Sequence, residues 1–262
     1  MPGIVVGGEK LHYQLHGAAA QRGGPALVLV HGAGGNLMHW PTALRRAPGR
    51  LVCALDLPGH GRSGGRGRTA IAAYAEVVRE FGRALGLTPY VICGHSMGGA
   101  IGLELALRYP AELAGLVLVS SGARLRVAPQ LLQGILTDFD ATVELLATWA
   151  HGEHVNANTL QVYRRRLREV DPLIAHGDFL ACDAFDRRAD LASLALPTLV
   201  ICGEADQMTP VKYSRYLAEH IRGAELVIVP GGGHMVLVEQ SAVVAAAGEQ
   251  FLRKLSCKWA GS

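Results

Sequence analysis

Tyr90-Val91-Ile92-Cys93-Gly94-His95-Ser96-Met97-Gly98-Gly99 runs from an apolar strand pattern into Gly-x-Ser-x-Gly and then into a segment of helical period. A serine on so sharp a strand-to-helix turn takes a strained backbone that lifts its hydroxyl above the sheet edge. The chain two residues to either side then passes so close that only glycine fits. Gly94 and Gly98 meet that demand, and Gly98 with Gly102, four residues on, lets the helix lie against the sheet. The helix N-terminus directs unpaired amides at any oxyanion formed beside Ser96. Nine serines in a chain with 33 glycines predict about 0.15 chance matches, so the strand-turn-helix context carries the signal.

Outward from this turn, short Val-, Leu- and Ile-rich runs alternate with longer segments of helical period. That alternation marks an α/β protein with a mostly parallel sheet covered by helices on both faces. Strand patterns fall at 11–15, 26–30, 52–55, 91–93, 115–119, 199–202 and 226–229, with helices at 70–85, 97–109, 211–220 and 241–255. The alternation stops between residues 121 and 190, where helical patterns at 129–139, 142–151, 159–170 and 172–184 come without a strand. The expected domains are a core of residues 1–120 and 191–262 and an inserted helical cap, or lid, of residues 121–190. Arg164-Arg165-Arg166 inside the cap reads as a solvated helix face rather than an anion site.

The chain has 262 residues, 50% of them hydrophobic and 18% charged, which excludes disorder and small disulfide scaffolds and allows a sizeable core. A formal charge of +3 is too small and too dispersed to imply a nucleic-acid partner. Five cysteines are an odd number, and Cys53, Cys93 and Cys202 sit in or beside strand patterns, as buried thiols of a reducing compartment do. The amino-terminal segment has neither a basic region nor an apolar run of secretory type, so a cytoplasmic location is expected. Two uncharged stretches, 23–44 and 84–103, reach membrane length, but glycine, proline, histidine and polar residues interrupt both. No membrane partner is expected.

A serine hydroxyl is a weak nucleophile without a base, and the base needs an acid to hold its tautomer. Leu199 to Gly203 is followed by Glu204-Ala205-Asp206, and Leu226 to Pro230 by Gly231-Gly232-Gly233-His234. Parallel strands put their C-terminal ends on one edge, so Ser96, Asp206 and His234 are expected to converge, with Glu204 as the rival acid. His31, His60 and His95 lie in turns near the same edge and read as turn or packing residues. The run His31-Gly32-Ala33-Gly34-Gly35 follows another strand pattern, and its glycine-rich turn exposes backbone amides. The N–H groups of Ala33 and Met97 are the natural pair to receive an acyl-transfer oxyanion.

Together, His31-Gly32-x-Gly34-Gly35, Asp56-Leu57-Pro58-Gly59-His60-Gly61-Arg62-Ser63, Gly94-His95-Ser96-Met97-Gly98-Gly99, Gly203-Glu204-x-Asp206 with Pro210, and Gly233-His234 resemble the α/β-hydrolase superfamily, in its capped, single-domain, esterase-like form. The resemblance spans almost the whole chain. It implies an eight-stranded sheet whose second strand is antiparallel, a lid between strands six and seven, a Ser96-His234-Asp206 triad, a structural role for Asp56, and neither cofactor nor metal.

The expected activity is hydrolysis of small or medium carboxylic esters through an acyl-enzyme, with a small-molecule ester as substrate and a monomer or homodimer as the working form. The same triad also serves lactone, thioester and carbon–carbon bond hydrolysis. Serine at position 96 argues against dehalogenases and epoxide hydrolases of the superfamily, which use aspartate there. All four lysines (Lys10, Lys212, Lys254 and Lys258) lie outside the cap, which argues against hydroxynitrile lyases. His95 stands where carbon–carbon hydrolases often carry asparagine. From another class, a slow-turnover small-molecule sensor would keep the same triad, but the sequence offers no partner-binding insertion for it. For the substrate pocket, the expected residues are Trp40, Leu132, Ile135, Leu136, Leu146, Trp149 and Phe179, apolar positions of the cap helices and of one core loop.

Overall fold

The structure, a computed structural model, describes residues 3–17 and 24–259. Met1 and Pro2 of the amino-terminal segment, Gly23 at the head of the first uncharged stretch, and the side chains of Cys257 and Lys258 lie outside that description.

Eight strands form one sheet in the order β1-β2-β4-β3-β5-β6-β7-β8. They are β1 (Gly3–Val6), β2 (Glu9–His16), β3 (Leu27–Val30), β4 (Val52–Leu55), β5 (Tyr90–His95), β6 (Leu113–Val119), β7 (Thr198–Gly203) and β8 (Glu225–Val229). The second strand runs antiparallel to both neighbours, and every pairing from β4 to β8 is parallel. Seven strands coincide with the apolar runs to within two residues at each end. The eighth, β1, has four residues on the sheet edge and only Val6 buried, too little apolar pattern to register.

Because side chains alternate along a strand, the buried runs feed two cores. Leu27 and Leu29 of β3 join Val117 and Val119 of β6 on one face, whereas Val28 and Val30 join Leu116 and Leu118 on the other. The first face is covered by α1 (Thr42–Arg45), α9 (Val236–Glu239) and α10 (Ser241–Trp259). The second is covered by α2 (Ile71–Ala84), α3 (Met97–Arg108) and α8 (Val211–His220). Cys53, Cys93, Cys182 and Cys202 are buried free thiols. No helix among the described residues is long and apolar enough to cross a membrane.

Between β6 and β7 lie four helices: α4 (Pro129–Thr137), α5 (Phe139–Trp149), α6 (Ala157–Arg168) and α7 (Pro172–Asp183). The first two divide earlier than their patterns predict. Asp138 leaves the helical conformation and its carboxylate caps the Ala141 N–H, so α5 starts at Phe139. Leu131, Ile135, Val143, Leu146, Leu167, Val170, Ala175 and Phe179 give the insertion an apolar interior of its own. Its two ends meet where Arg124 bridges Asp186. The arginine run is spread by its helix: Arg164 pairs with Glu144 at 2.6 Å, and Arg166 donates to the Met38 carbonyl at 2.8 Å.

Candidate active site

Ser96 follows β5 with φ 52° and ψ −116°, in the left-handed half of conformational space that a residue with a side chain avoids. Its N–H donates to the Val119 carbonyl at 2.9 Å, and Ser121 Oγ donates to its carbonyl at 2.8 Å, so both neighbouring peptides hold the strain. A Cβ at Gly94 would run into the Gly98 carbonyl, and one at Gly98 into that of Val30, which is why glycine stands at both. Met97 opens α3, and the first N–H groups of a helix have no intrahelical acceptor.

Asp206 and His234 follow β7 and β8, two and three strands along the sheet from β5. His234 Nδ1 donates to Asp206, 3.0 Å from Oδ2 and 3.2 Å from Oδ1, which leaves Nε2 as the acceptor nitrogen of the ring. Three further donors converge on the Asp206 carboxylate: the N–H groups of Met208 and Thr209 at 2.9 and 2.8 Å, and Thr209 Oγ1 at 2.8 Å. Burial works against the charge, but attraction to His234 and these hydrogen bonds outweigh it and hold the carboxyl below its ordinary range. Glu204, the rival acid, is exposed, and its carboxylate accepts the Gly231 N–H at 3.2 Å.

Ser96 and His234 line one narrow cavity with Gly32, Ala33, His95 and Phe179. The glycine-rich loop after β3 lies directly against the serine, since a Cβ on Gly32 would stand 3.2 Å from Ser96 Cβ. His95 donates from Nε2 to the His234 carbonyl at 3.0 Å, so the residue before Ser96 steadies the loop that carries His234. Burial, then repulsion from His234, lowers its pKa to about 3. The remaining lining comes from His39, Tyr163, Leu167, Met208 and Met235. His39, Tyr163 and Met235 also wall a second cavity that continues past His151, Asn158 and Arg166.

Of the residues expected in the pocket, the structure brings Phe179 to the serine and corrects the others. Trp40 is 1% exposed and packs with Leu29, Leu37 and Val52 in the core on the sheet face covered by α1 and α10. Ile135 and Leu146 face the interior of the insertion, and Leu132 packs against that interior. Leu136, one step round α4 from Ile135, is 53% exposed. Trp149 is half-buried and lines neither cavity. His95, Met208 and Met235 went unassigned to the pocket, although each stands one or two residues from a predicted site residue, and that adjacency is the signal for them. Tyr163 and Leu167 are four apart on α6, the spacing of one helix face.

A model of the alpha/beta hydrolase family matches residues 27–247. The chain is 32% identical over 268 residues to a putative carbamate hydrolase RutD of Variovorax paradoxus (strain S110), covering 94% of this chain and 97% of that protein. It is 30% identical over 259 residues to a monoacylglycerol lipase of Mycolicibacterium smegmatis, covering 89% of each. The solved structure of a thermophilic esterase superposes with a TM-score of 0.85 at 32% identity, covering 97% of both chains.

Proposed function

The chain belongs to the alpha/beta hydrolase family, and from that premise we propose that it is a carboxylic-ester hydrolase with Ser96 as nucleophile, His234 as base and Asp206 as the acid that orients it. One observation carries this reading: a strained serine and a histidine hydrogen-bonded to a buried aspartate open onto the same cavity. Ser96 attacks the ester carbonyl as His234 Nε2 takes its proton, and the N–H groups of Ala33 and Met97 receive the oxyanion. The alcohol leaves with the proton held by His234. Water then attacks the acyl-enzyme with His234 again as base, releasing the acid and freeing Ser96. The relatives named as an esterase, a lipase and a putative carbamate hydrolase support attack at an acyl carbonyl. The narrowness of the cavity favours small or medium acyl groups, and the insertion over it acts as the lid.

Multiple turnover of p-nitrophenyl esters of graded length tests the reading. Sustained turnover that Ser96→Ala lowers about a millionfold in a protein that still folds is the expected result. A single burst followed by silence would instead identify a slow-turnover sensor, and undiminished turnover by Ser96→Ala would place the nucleophile elsewhere.

A further inference from the structure

Asp178, on insertion helix α7, is fully buried and lies outside the proposed triad. Its Oδ2 accepts the N–H of Gly34 at 2.8 Å and faces His60 Nε2 at 2.8 Å, while Oδ1 accepts the Tyr74 hydroxyl at 2.5 Å. His60 Nδ1 lies 3.0 Å from the Pro58 carbonyl, which only accepts, so both ring nitrogens face acceptors and the ring is held as an imidazolium. Burial opposes that charge, but Asp178 outweighs it and raises the His60 pKa. Both side chains of this ion pair are 0% exposed. A buried charge left without its partner is strongly destabilising, so the pair ties α7 firmly to the core.

The tie lands on the loop that carries Ala33. The Ala33 N–H belongs to the same rigid peptide plane as the Gly32 carbonyl. That carbonyl accepts from His31 Nδ1 at 2.8 Å and from the Gly35 N–H at 3.0 Å, and His31 is itself fixed because its Nε2 accepts the Leu57 N–H at 3.0 Å. The next plane pairs the Ala33 carbonyl with the Gly34 N–H, and Asp178 holds that N–H. Both peptides flanking the Ala33 Cα are therefore anchored, one by core residues and the other by the insertion.

We infer that Asp178 is a positioning residue for the oxyanion hole: it fixes the second peptide of the Gly32–Gly34 loop and so couples the seating of the insertion to the aim of the Ala33 N–H. This rests on the proposed role of Ala33. An oxyanion donor acts through its preorganisation, and losing one outright costs about 10²–10³ in kcat. Loosening its loop costs less.

The test compares two replacements at position 178 with a control. Asp178→Leu removes every acceptor and should lower kcat about tenfold to a hundredfold with KM within about twofold. Asp178→Asn loses the ion pair but can turn its amide oxygen to Gly34 and its NH2 to Tyr74, and should restore most of kcat despite a lowered Tm. Arg187→Gln cuts another tie near the insertion's end, the paired hydrogen bonds of Arg187 to Glu104 at 2.7 and 2.9 Å, and should lower Tm while kcat stays within about twofold. Equal kcat in the Leu and Asn variants, or a folded Asp178→Leu with kcat within twofold of the parent, would make Asp178 a structural tie only. Should Asp178→Leu not fold, hydrogen exchange in the unaltered protein decides. A Gly34 amide as protected as those of β3 supports the anchor, and one exchanging like an open loop overturns it. Ser96-dependent turnover by the unaltered protein tests the parent reading separately, so the two can fail independently.

Discussion

The φ of 52° at Ser96 is a local cost that the surrounding hydrogen bonds sustain, and such a cost is expected where a nucleophile must stand clear of its own backbone. In the proposed mechanism Asp206 has a different task, to keep His234 in the tautomer whose Nε2 accepts a proton. Asp206→Asn should therefore lower kcat about ten-thousandfold, while Glu204→Gln leaves it within about threefold. Steady-state kinetics on a p-nitrophenyl ester check this, and a more damaging change at Glu204 would reassign the acid. The three proposed triad residues were readable because each ends a strand pattern on one sheet edge. Asp178 was not. It sits within a helical pattern 144 residues from Gly34, and nothing in its neighbours along the chain indicates a partner so distant.

At the scale of elements, periodicity located the four insertion helices but did not say which way each face would turn. Ile135 and Phe179 both belong to the insertion's apolar interior, yet only Phe179 also lines the cavity at Ser96. An amphipathic stripe reports burial and is silent about what it is buried against. The strands were easier to read because a parallel sheet buries both faces and turns each strand into a continuous apolar run. Phe179→Ala should widen the cavity and move the preferred acyl chain to longer esters by about tenfold in kcat/KM, whereas Ile135→Ala should lower Tm and leave the preference unchanged. A chain-length series on both variants measures this. If the two profiles shift alike, the insertion does not set selectivity through the residues that line the cavity.

At the scale of the whole molecule, buried histidines dominate the response to pH. Burial, with repulsion from neighbouring imidazoles, lowers His31 from 6.5 to about 4 and His95 from 6.5 to about 3. The unfolded chain then binds protons that the folded chain refuses, so this contribution is complete above pH 6.5 and falls as pH drops toward those values. By pH 5 each ring has withdrawn about 2 kcal/mol, at about 1.4 kcal/mol per pH unit. The lowered carboxyl of Asp206 adds a loss at still lower pH, present above its unfolded value and gone once pH passes below the folded one. His60, raised by Asp178, works in the opposite direction, stabilising below 6.5 and weakening as pH rises through its folded value. Burial lowers His39 and His151 as well, so the lowered rings outnumber it, and Tm should be roughly 5 °C or more lower at pH 5 than at pH 7.5; calorimetry at the two pH values would contradict this by finding them equal. The central proposal, that Ser96 is the single activated serine of this chain, is tested most directly by the mass of the protein after treatment with a fluorophosphonate. The account predicts one covalent adduct per chain, mapped to Ser96, with turnover lost in proportion to labelling. An unmodified protein, or an adduct on another residue while turnover continues, would contradict it.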